Sequence, residues 1–347
     1  MDNHNGMMKA AVFEALGKLT VKSVPIPKIA KPDEVLLKVE AASICGTDIH
    51  ILHVPPEAPA TIGTILGHEY IGEIIDIGSD VHNFTVGDRV VLDPNISCGS
   101  CYYCRIGKEN MCSNVTVLGI FIDGGFTEYN VAPAKALFPI SKEVPTEVAI
   151  FAEPLACVVN AVHKIQLDVG ENVLVLGAGP IGLYFIQLLK ASGAGKIFVS
   201  EISEMRAKYA YESGATRVIN PQRESVEEVI RSETTDGVDV SVDAVGVLIN
   251  EALTCTRRGG KILLFGQNYQ ARQEICQNDI TRKDLTILGN YISQNRFPAT
   301  VKILEGGILP LEKLVTHKLP LERIEEGIEA MKKGEAIEVI IYPSTKS

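Results

Sequence analysis

Four cysteines are crowded into one short stretch of the chain, where their thiolates could bind a metal ion. They are Cys98, Cys101, Cys104 and Cys112. Short CxxC turns can place consecutive thiolates on one ion, and zinc accepts four sulfur ligands in a tetrahedral arrangement. An iron–sulfur cluster also uses four cysteines, so the spacing alone leaves that alternative open. Four protein ligands leave no position for a substrate, so the spacing predicts a zinc site with a structural role.

A second pattern is a glycine-rich turn of the form GxGxxG, which follows a strand-like run and precedes a helical one. It consists of Gly177, Gly179, Pro180, Ile181 and Gly182. Such glycines allow a tight turn, a close approach to a pyrophosphate and close packing of the helix, whose N-terminus stabilises the phosphate charge. The carboxylate of Glu201, after the next apolar run, can bind the adenosine ribose hydroxyls and would repel a 2′-phosphate. The pattern therefore predicts NAD binding, and Arg206 nearby leaves NADP as the less favoured alternative.

Four further residues carry metal-binding side chains but are scattered along the first half of the chain. They are Cys45, His68, Glu69 and Glu153. Taken singly, the cysteine could fill a core position, the histidine could form ordinary hydrogen bonds, and the last glutamate could begin a helix. Glu153 lies in an otherwise apolar stretch, however, and a buried carboxylate needs a partner such as a divalent metal. Spacing alone leaves both interpretations open.

The elements that must position these residues are of two kinds. Strand-like runs at 35–39, 70–75 and 89–92 lie between closely spaced turn signals, which predicts a β-rich region up to about residue 150. From about residue 172 to 289 strands alternate with helices, a pattern typical of a parallel sheet with helices on both faces. The predicted strands are 172–176, 196–200, 238–243, 261–265 and 285–288, the predicted helices include 181–191 and 203–213, and a last strand is predicted at 338–342.

An α/β unit inserted into a β-rich unit is the simplest description of this order. We expect one domain from residues 1–152 together with 290–347 and a second from 153–289. The four-cysteine segment forms a lobe of the first domain at about residues 95–115.

Composition and charge exclude several classes of function. Apolar residues make up 46% of the 347 residues and charged residues 22%, so the chain is globular rather than disordered. Its net charge is −10, and no basic run is present to bind a nucleic acid. The longest nearly uncharged stretch contains the glycine-rich turn, which argues against a membrane span. The N-terminus shows no secretory signal pattern, so we expect a cytoplasmic protein.

Six motifs occur in the order and at the spacing of the zinc-containing medium-chain dehydrogenases. They are CGTDIH at 45–50, GHEYIGEI at 67–74, GDRVV at 87–91, the four-cysteine lobe, AEPLA at 152–156 and GAGPIG at 177–182. The chain resembles this family from about Met8 onward, and most of all its polyol and threonine dehydrogenase branch. The resemblance implies a GroES-like catalytic domain built from both chain ends, with an inserted Rossmann domain, a doubly wound parallel sheet.

The same resemblance implies a catalytic zinc ion in addition to the structural one. Cys45 and His68 would bind it, with Glu69 and Glu153 as carboxylate ligands or water-bridged neighbours. Zinc would acidify a substrate hydroxyl while NAD accepts the hydride from the same carbon. Thr47 and His50 match the family's proton relay from the alcohol to solvent. Because mixed carboxylate and thiolate ligation is harder than the two cysteines and one histidine of the classical alcohol dehydrogenases, we expect this zinc to exchange more readily than the lobe zinc.

Family resemblance also implies which residues border the nicotinamide. They are Val245, Gly246, Phe265, Gly266, Gln267, Tyr291, Ile292 and Ser293. Sorbitol dehydrogenases typically have Phe-Arg-Tyr at the last triplet, and Ile292 and Ser293 cannot replace those polar contacts. Arg296 nearby could serve a phosphorylated or acidic substrate, and Phe121 could form a pocket wall.

The leading interpretation is oxidation of a secondary alcohol on a polyol, phosphorylated or not, by NAD. The alternatives are an L-threonine 3-dehydrogenase, a butanediol-type dehydrogenase and, from another class, a zinc- and dinucleotide-binding sensor without turnover. The presence of Cys45, Thr47, His50 and His68 argues against the sensor, because it would have no need of the relay. The partners expected are a small-molecule alcohol and other copies of the chain in a homotetramer, with a dimer as the alternative, and neither nucleic acid nor membrane.

Overall fold

The computed structural model describes residues 6–344, and these divide into two compact units. Unit 1 contains the described chain up to Pro154, Gln294–Gly307 and the chain from Leu311 onward. Unit 2 contains Leu155–Ser293 and Ile308–Pro310. The first change of unit falls inside a helix, so no loop or composition shift marks it in the sequence.

The strands, in chain order, are β1 Met7–Ala15, β2 Lys18–Pro25, β3 Glu34–Ser43, β4 Glu69–Ile77, β5 Arg89–Leu92, β6 Asn95–Ile96, β7 Thr116–Val117, β8 Tyr129–Pro133, β9 Leu137–Pro139, β10 Val173–Leu176, β11 Ile197–Ser200, β12 Arg217–Ile219, β13 Val238–Asp243, β14 Thr256–Leu264, β15 Thr286–Gly289, β16 Val315–Pro320 and β17 Glu338–Tyr342. The α-helices are α1 Gly46–Ile51, α2 Tyr102–Arg105, α3 Thr146–Ala149, α4 Ala152–Ile165, α5 Pro180–Ala191, α6 Glu204–Ser213, α7 Val226–Glu233, α8 Ile249–Cys255, α9 Gln277–Lys283, α10 Phe297–Glu305 and α11 Ile324–Lys332. Short 3₁₀ turns lie at Glu109–Met111, Ala134–Ala136, Leu311–Leu314 and Leu321–Arg323.

The main sheet of unit 1 has the strand order β16-β17-β3-β4-β5-β9, and β8 also pairs with β3. Val35, Leu37 and Val39 alternate on β3 and bury their side chains almost completely, as a strand with one face on a core requires. The C-terminal strand β17 pairs antiparallel with β3 through Ile340 and Ile341. Both ends of the chain therefore build the sheet of unit 1.

The sheet of unit 2 is parallel, with the order β12-β11-β10-β13-β14-β15. All four residues of β10 are fully buried, as expected for a central strand of a sheet covered on both faces. Helices such as α5 connect successive strands, which gives the doubly wound α/β architecture. Within residues 6–344 we find no helix with the length and apolar character needed to cross a membrane.

The predicted elements differ from the observed ones mainly at their ends and in short pieces. The strand predicted at 261–265 begins earlier, at Thr256, because the Arg-Arg-Gly-Gly run at 257–260 forms an irregular extension of β14 next to β13. The three-residue strand β12 was not predicted, since its apolar run is too short to give a period.

Candidate active site

The pairing of β3 with β4 brings together three candidate metal ligands. Ser43, the last residue of β3, lies opposite Glu69, the first residue of β4. Cys45, two residues beyond the end of β3, and His68, just before β4, therefore emerge at the same end of the sheet. The Cys45 sulfur, one His68 ring nitrogen and one Glu69 carboxylate oxygen all lie within 4.8 Å of one another. The pairing of the two strands therefore brings together residues that are distant in sequence.

This cluster is electrically unbalanced when only the protein groups are considered. Burial raises the pKa of the Cys45 thiol to about 12 and that of the Glu69 carboxyl to about 7, and the negative charges nearby add to both effects. Burial opposes a charged His68, yet the neighbouring Cys45 and Asp48 hold the pKa of its imidazole well above its usual value. Several acidic groups thus surround one imidazole away from water. A divalent cation bound between them would stabilise the thiolate and the carboxylate, which burial alone disfavours.

Asp48 connects the helix start to the metal-ligand cluster. The backbone N–H of Cys45 donates to Asp48 Oδ2 at 2.9 Å, which caps α1 and holds Cys45 in place. Asp48 Oδ1 lies 3.7 Å from His68 Nδ1, and neither atom has a hydrogen-bond partner within residues 6–344. A histidine that binds metal through one ring nitrogen commonly directs the other at a carboxylate. The thiol, imidazole and carboxylate donors, with this supporting carboxylate, therefore fit a zinc ion.

Glu153 lies in the first turn of α4 and is only half-buried, whereas the apolar stretch around it in the sequence predicts a buried carboxylate. It is outside the cluster of three mutually close ligand atoms. Its negative charge nevertheless helps to raise the pKa of Glu69, after the larger effect of burial. Glu153 is therefore near the cluster without belonging to its tight core.

The two residues of the expected proton relay lie on α1. Thr47 Oγ1 is 3.6 Å from the Cys45 sulfur, so the hydroxyl borders the metal-ligand cluster. His50 is exposed, and its Nδ1 lies 2.6 Å from Glu57 Oε2. A carboxylate at that distance makes Nδ1 the protonated nitrogen and leaves Nε2 to accept a proton.

Three residues that contact the candidate site residues are not predicted from the sequence. The Ser43 hydroxyl donates to Glu69 Oε2, Asp48 faces His68, and Glu57 faces His50. The only sequence signal was for Asp48, which lies within the CGTDIH motif. The other two contacts depend on strand register and on a loop.

The four-cysteine lobe forms a second group of converging ligand atoms. The sulfurs of Cys98, Cys101, Cys104 and Cys112 all lie within 4.8 Å of one another. Cys101 Sγ is 3.5 Å from Cys104 Sγ and 3.9 Å from Cys112 Sγ. Sulfurs at the corners of a tetrahedron with bonds of about 2.3 Å to zinc are about 3.8 Å apart. The separations fit a single ion better than a cluster, in which the cysteines bind different irons.

The backbone of the lobe also prepares its thiols for metal. Backbone N–H groups of Ser100 and Cys101 lower the pKa of Cys98 to about 5, which favours the thiolate. Burial raises the pKa of Cys104 to about 12, with help from the adjacent thiols. Without a cation the Cys104 thiol would stay protonated, so the full thiolate set requires one.

The glycine-rich turn occupies the carboxyl end of β10 in unit 2. Gly177 has a φ of 91°, and a Cβ there would lie 2.5 Å from Val245 Cγ2. A Cβ on Gly182 would lie 2.0 Å from the Gly177 carbonyl oxygen, so this glycine is needed mainly for the turn itself. Gly179, by contrast, faces open space, and α5 begins with Pro180 directly after it. The turn thus has a free face at a helix N-terminus, as pyrophosphate binding requires.

Glu201 follows β11 and is 6% exposed. Its Oε2 accepts a hydrogen bond of 2.7 Å from the backbone N–H of Ala178, and its Oε1 accepts one of 2.8 Å from that of Ser203. Arg206 lies in the first turn of α6, which Ser203 caps, and its buried Nε has no hydrogen-bond partner within the described residues. Glu201 therefore contacts the glycine-rich turn, and Arg206 lies in the first turn of the helix that follows Glu201.

Several residues expected at the nicotinamide end meet where β13 and β14 end. Asp243 Oδ1 accepts hydrogen bonds from the backbone N–H groups of Val245, at 2.9 Å, and Gly246, at 2.7 Å. A Cβ on Gly266 would lie 2.3 Å from the Gly246 nitrogen, so the two loops are in direct contact. Phe265 packs edge-on against Phe185 of α5, and Gln267 follows.

The last expected triplet follows β15. Tyr291 is 44% exposed, Ser293 is buried, and Ile292 between them has a φ of 42°. Phe121 and Arg296 belong to unit 1; Phe121 is 37% exposed, and the buried Arg296 Nε has no hydrogen-bond partner among residues 6–344. The structure thus gathers the glycine-rich turn and the β13 and β14 loops in unit 2, and the metal ligands in unit 1.

Comparisons with known proteins agree with this architecture. A family model described as "Alcohol dehydrogenase GroES-like domain" matches residues 31–142, and one described as "Zinc-binding dehydrogenase" matches residues 180–306. An L-threonine 3-dehydrogenase of Caldanaerobacter subterraneus is 39% identical over 353 residues, covering 98% of this chain and 100% of the relative.

Two solved structures extend the likeness. A zinc-binding dehydrogenase of Sinorhizobium meliloti bound to NADP has a TM-score of 0.93 and 34% identity, covering 97% of this chain and 99% of the other. The 2R,3R-butanediol dehydrogenase of Bacillus subtilis has a TM-score of 0.90 and 32% identity, covering 97% and 100%. The chain therefore belongs to the zinc-dependent, NAD(P)-linked alcohol dehydrogenase family.

Proposed function

We propose that this dehydrogenase oxidises a secondary alcohol group of a small polyol to the ketone with NAD, at the site formed by Cys45, His68 and Glu69. The observation that carries the proposal is the convergence of these three ligand atoms within 4.8 Å, beside the Thr47 hydroxyl. A thiol, an imidazole and a carboxylate form a ligand set that suits zinc.

In this proposal Cys45, His68 and Glu69 hold the catalytic zinc, with Glu153 close by, and the four lobe cysteines hold a structural zinc. When bound, zinc supplies a Lewis acid for the alcohol oxygen and NAD supplies the hydride acceptor. Asp48 supports the His68 ring from a distance of 3.7 Å. The buried Ser43 hydroxyl donates to one Glu69 oxygen and so restricts the orientation of that carboxylate.

Proton removal is assigned to the chain's own groups on α1. The Thr47 hydroxyl, 3.6 Å from the Cys45 sulfur, would take up the alcohol proton and at the same time release its own toward His50. His50 passes it to solvent, because its ring is exposed and Glu57 leaves its Nε2 as the accepting nitrogen. A general acid–base path of this kind contributes about 100-fold or more to a rate.

NAD is the proposed coenzyme because of Glu201. Its carboxylate lies beside the glycine-rich turn, where a 2′-phosphate would meet a buried negative charge. The Sinorhizobium meliloti structure contains NADP, so both coenzymes belong in the test.

L-threonine is the second candidate substrate. It is supported by the relative of that activity, which is 39% identical over the whole chain. A small diol is supported in the same way by the butanediol dehydrogenase structure. An amino acid would need one charged partner for its ammonium and another for its carboxylate, and Ile292 and Ser293 supply neither. We therefore keep a polyol, phosphorylated or not, as the first candidate and L-threonine as the second. We expect a homotetramer, with a dimer as the alternative outcome of light scattering.

The test is formation of NADH from NAD, or of NADPH from NADP, by the zinc-loaded protein with a panel of polyols, polyol phosphates, L-threonine and 2,3-butanediol. Thr47→Val removes the hydroxyl at nearly constant volume, whereas Thr47→Ser keeps it. We expect Thr47→Val to lower kcat by about 100-fold and Thr47→Ser by much less. Equal kcat values for the two variants would refute the relay. Cofactor binding without turnover of any compound in the panel would favour the sensor.

A further inference from the structure

Asn160 is an almost fully buried amide on the part of α4 that belongs to unit 2. Its Nδ2 donates two hydrogen bonds to the segment that follows β15. One reaches Asn290 Oδ1 at 2.9 Å and the other reaches the Ile292 carbonyl oxygen at 2.9 Å. A side chain from one helix thus fixes a turn that lies 132 residues further along the chain.

Ile292 is the residue that most needs such support. Its φ of 42° lies in the left-handed region, which β-branched residues strongly disfavour. A backbone of this kind persists only where the surrounding contacts hold it, and it is found preferentially at functional sites.

A second amide reinforces the first. Asn290 Nδ2 donates to the Cys157 carbonyl oxygen at 3.3 Å and to the Ile292 carbonyl oxygen at 3.4 Å. The Asn290 backbone N–H donates to the Leu264 carbonyl oxygen at 3.1 Å. Both Asn160 and Asn290 therefore direct amide donors at one carbonyl, and turning either amide over would place oxygen against oxygen.

We propose that Asn160 is a positioning residue that holds the Ile292 peptide group in the strained orientation required by the nicotinamide end of the coenzyme. The inference rests on the proposed function and on the position beside the nicotinamide that the family resemblance implies for Tyr291, Ile292 and Ser293. Because a trans peptide is planar, fixing the Ile292 carbonyl also fixes the direction of the Ser293 N–H. Asn160 acts through this turn and does not itself touch the coenzyme.

Two ligands that differ at the nicotinamide end make the role measurable. NADH carries the ring, whereas ADP-ribose shares the remainder of the molecule and lacks it. Asn160→Leu removes both donors at similar volume. We expect it to weaken NADH binding about tenfold, as misplacement of a binding group does, while ADP-ribose binding changes less than about twofold.

Lys164 provides a matched control on the same helix. Its Nζ donates to the Gly289 carbonyl oxygen at 3.2 Å, just before the strained turn. Lys164→Met removes a contact between the same two elements, to Gly289, so we expect the ratio of the NADH and ADP-ribose dissociation constants to stay at its wild-type value. Adding Ile292→Gly to Asn160→Leu should recover part of the NADH binding, because glycine adopts positive φ readily.

An unchanged ratio of the two dissociation constants in Asn160→Leu would overturn the inference, whether both ligands bind as in wild type or both bind more weakly by the same factor. If Asn160→Leu does not fold, Asn160→Ser is measured in the same way and is judged by the same ratio. Failure of the proposed function is a separate result: wild-type protein would then bind the ligands without oxidising any alcohol, whatever Asn160 does.

Discussion

The carboxylate of Glu201 accepts a hydrogen bond from the backbone N–H of Ala178 inside the glycine-rich turn, with 2.7 Å between Oε2 and the nitrogen. The two residues are 23 positions apart and lie at the ends of neighbouring strands. The acid that is expected to select the coenzyme therefore also holds the turn that is expected to bind its pyrophosphate. Coenzyme preference and turn geometry are coupled at this one side chain.

Glu201→Gln should change the coenzyme preference. Glutamine keeps an oxygen for one backbone donor but removes the negative charge that repels a 2′-phosphate. We expect the ratio of NADPH to NADH dissociation constants to fall by about tenfold, measured by fluorescence titration. Glu204→Gln, whose side chain is 79% exposed, serves as the control. The same ratio in Glu201→Gln as in wild type would show that Glu201 does not discriminate.

Cys104→Ser should remove the lobe metal and destabilise unit 1. Cys104 is buried, and a structural zinc contributes its binding free energy to folding. We expect the protein to lose zinc and its Tm to fall by about 5 °C or more. Cys276→Ser is the control, because Cys276 is exposed and lies outside both ligand clusters. Metal content and calorimetry together check the result, and full zinc content in Cys104→Ser would contradict a four-cysteine site.

Mild chelation should remove the two zinc ions in a fixed order. The Cys45, His68 and Glu69 site combines a thiol with harder ligands, whereas the lobe offers four thiolates and no open position. We expect activity to disappear first while zinc remains in the lobe and the Tm changes little. Added zinc should restore the rate. Full activity in a sample that retains only one zinc per chain would contradict the predicted order of zinc loss.

Glu147→Gln should lower stability at neutral pH but not in acid. Lys318, with Nζ 2.6 Å from Glu147 Oε1, lowers the pKa of this carboxyl below its usual 4.5. A lowered carboxyl pKa stabilises the fold above pH 4.5, and the contribution disappears as the pH falls through the folded-state pKa. We expect a loss of about 0.5 kcal/mol at neutral pH, since the pair is partly exposed.

Urea unfolding of wild type and Glu147→Gln, in steps from about pH 7 to about pH 3.5, checks this dependence. The difference between the two proteins should shrink toward zero in acid. Glu143→Gln, an exposed glutamate nearby, should show no such trend. A difference that grows as the pH falls would mean that the ion pair is not its cause.

The parts of the site that are local in sequence could be predicted, and the parts that depend on register could not. The lobe cysteines and the glycine-rich turn are each contiguous, so their spacing alone indicates their geometry. Ser43 and Glu69 are 26 residues apart and meet only because β3 and β4 pair in one register. Family resemblance pointed to Cys45 and His68, but the hydrogen bonds that orient them follow from the packed structure.

Asn160 illustrates the same limit more strongly. An asparagine within an apolar helical run is common, and the residues next to Asn160 in the sequence do not indicate a contact with residue 292. Its role follows from the folding of α4 against the end of β15. The strained φ of Ile292 is likewise invisible in the sequence, because isoleucine there favours an extended backbone.

The pairing of β17 with β3 has a consequence for how the protein is made. Strand β17 is synthesised after its neighbour β3 and after every strand of unit 2. The inserted unit 2 has all its strands available well before that point, and domains fold as units during synthesis. A growing chain can therefore complete the parallel sheet of unit 2 while the sheet of unit 1, which carries Cys45, still lacks strands β16 and β17. The sheet that carries Cys45 and His68 would then be completed only after the sheet of unit 2.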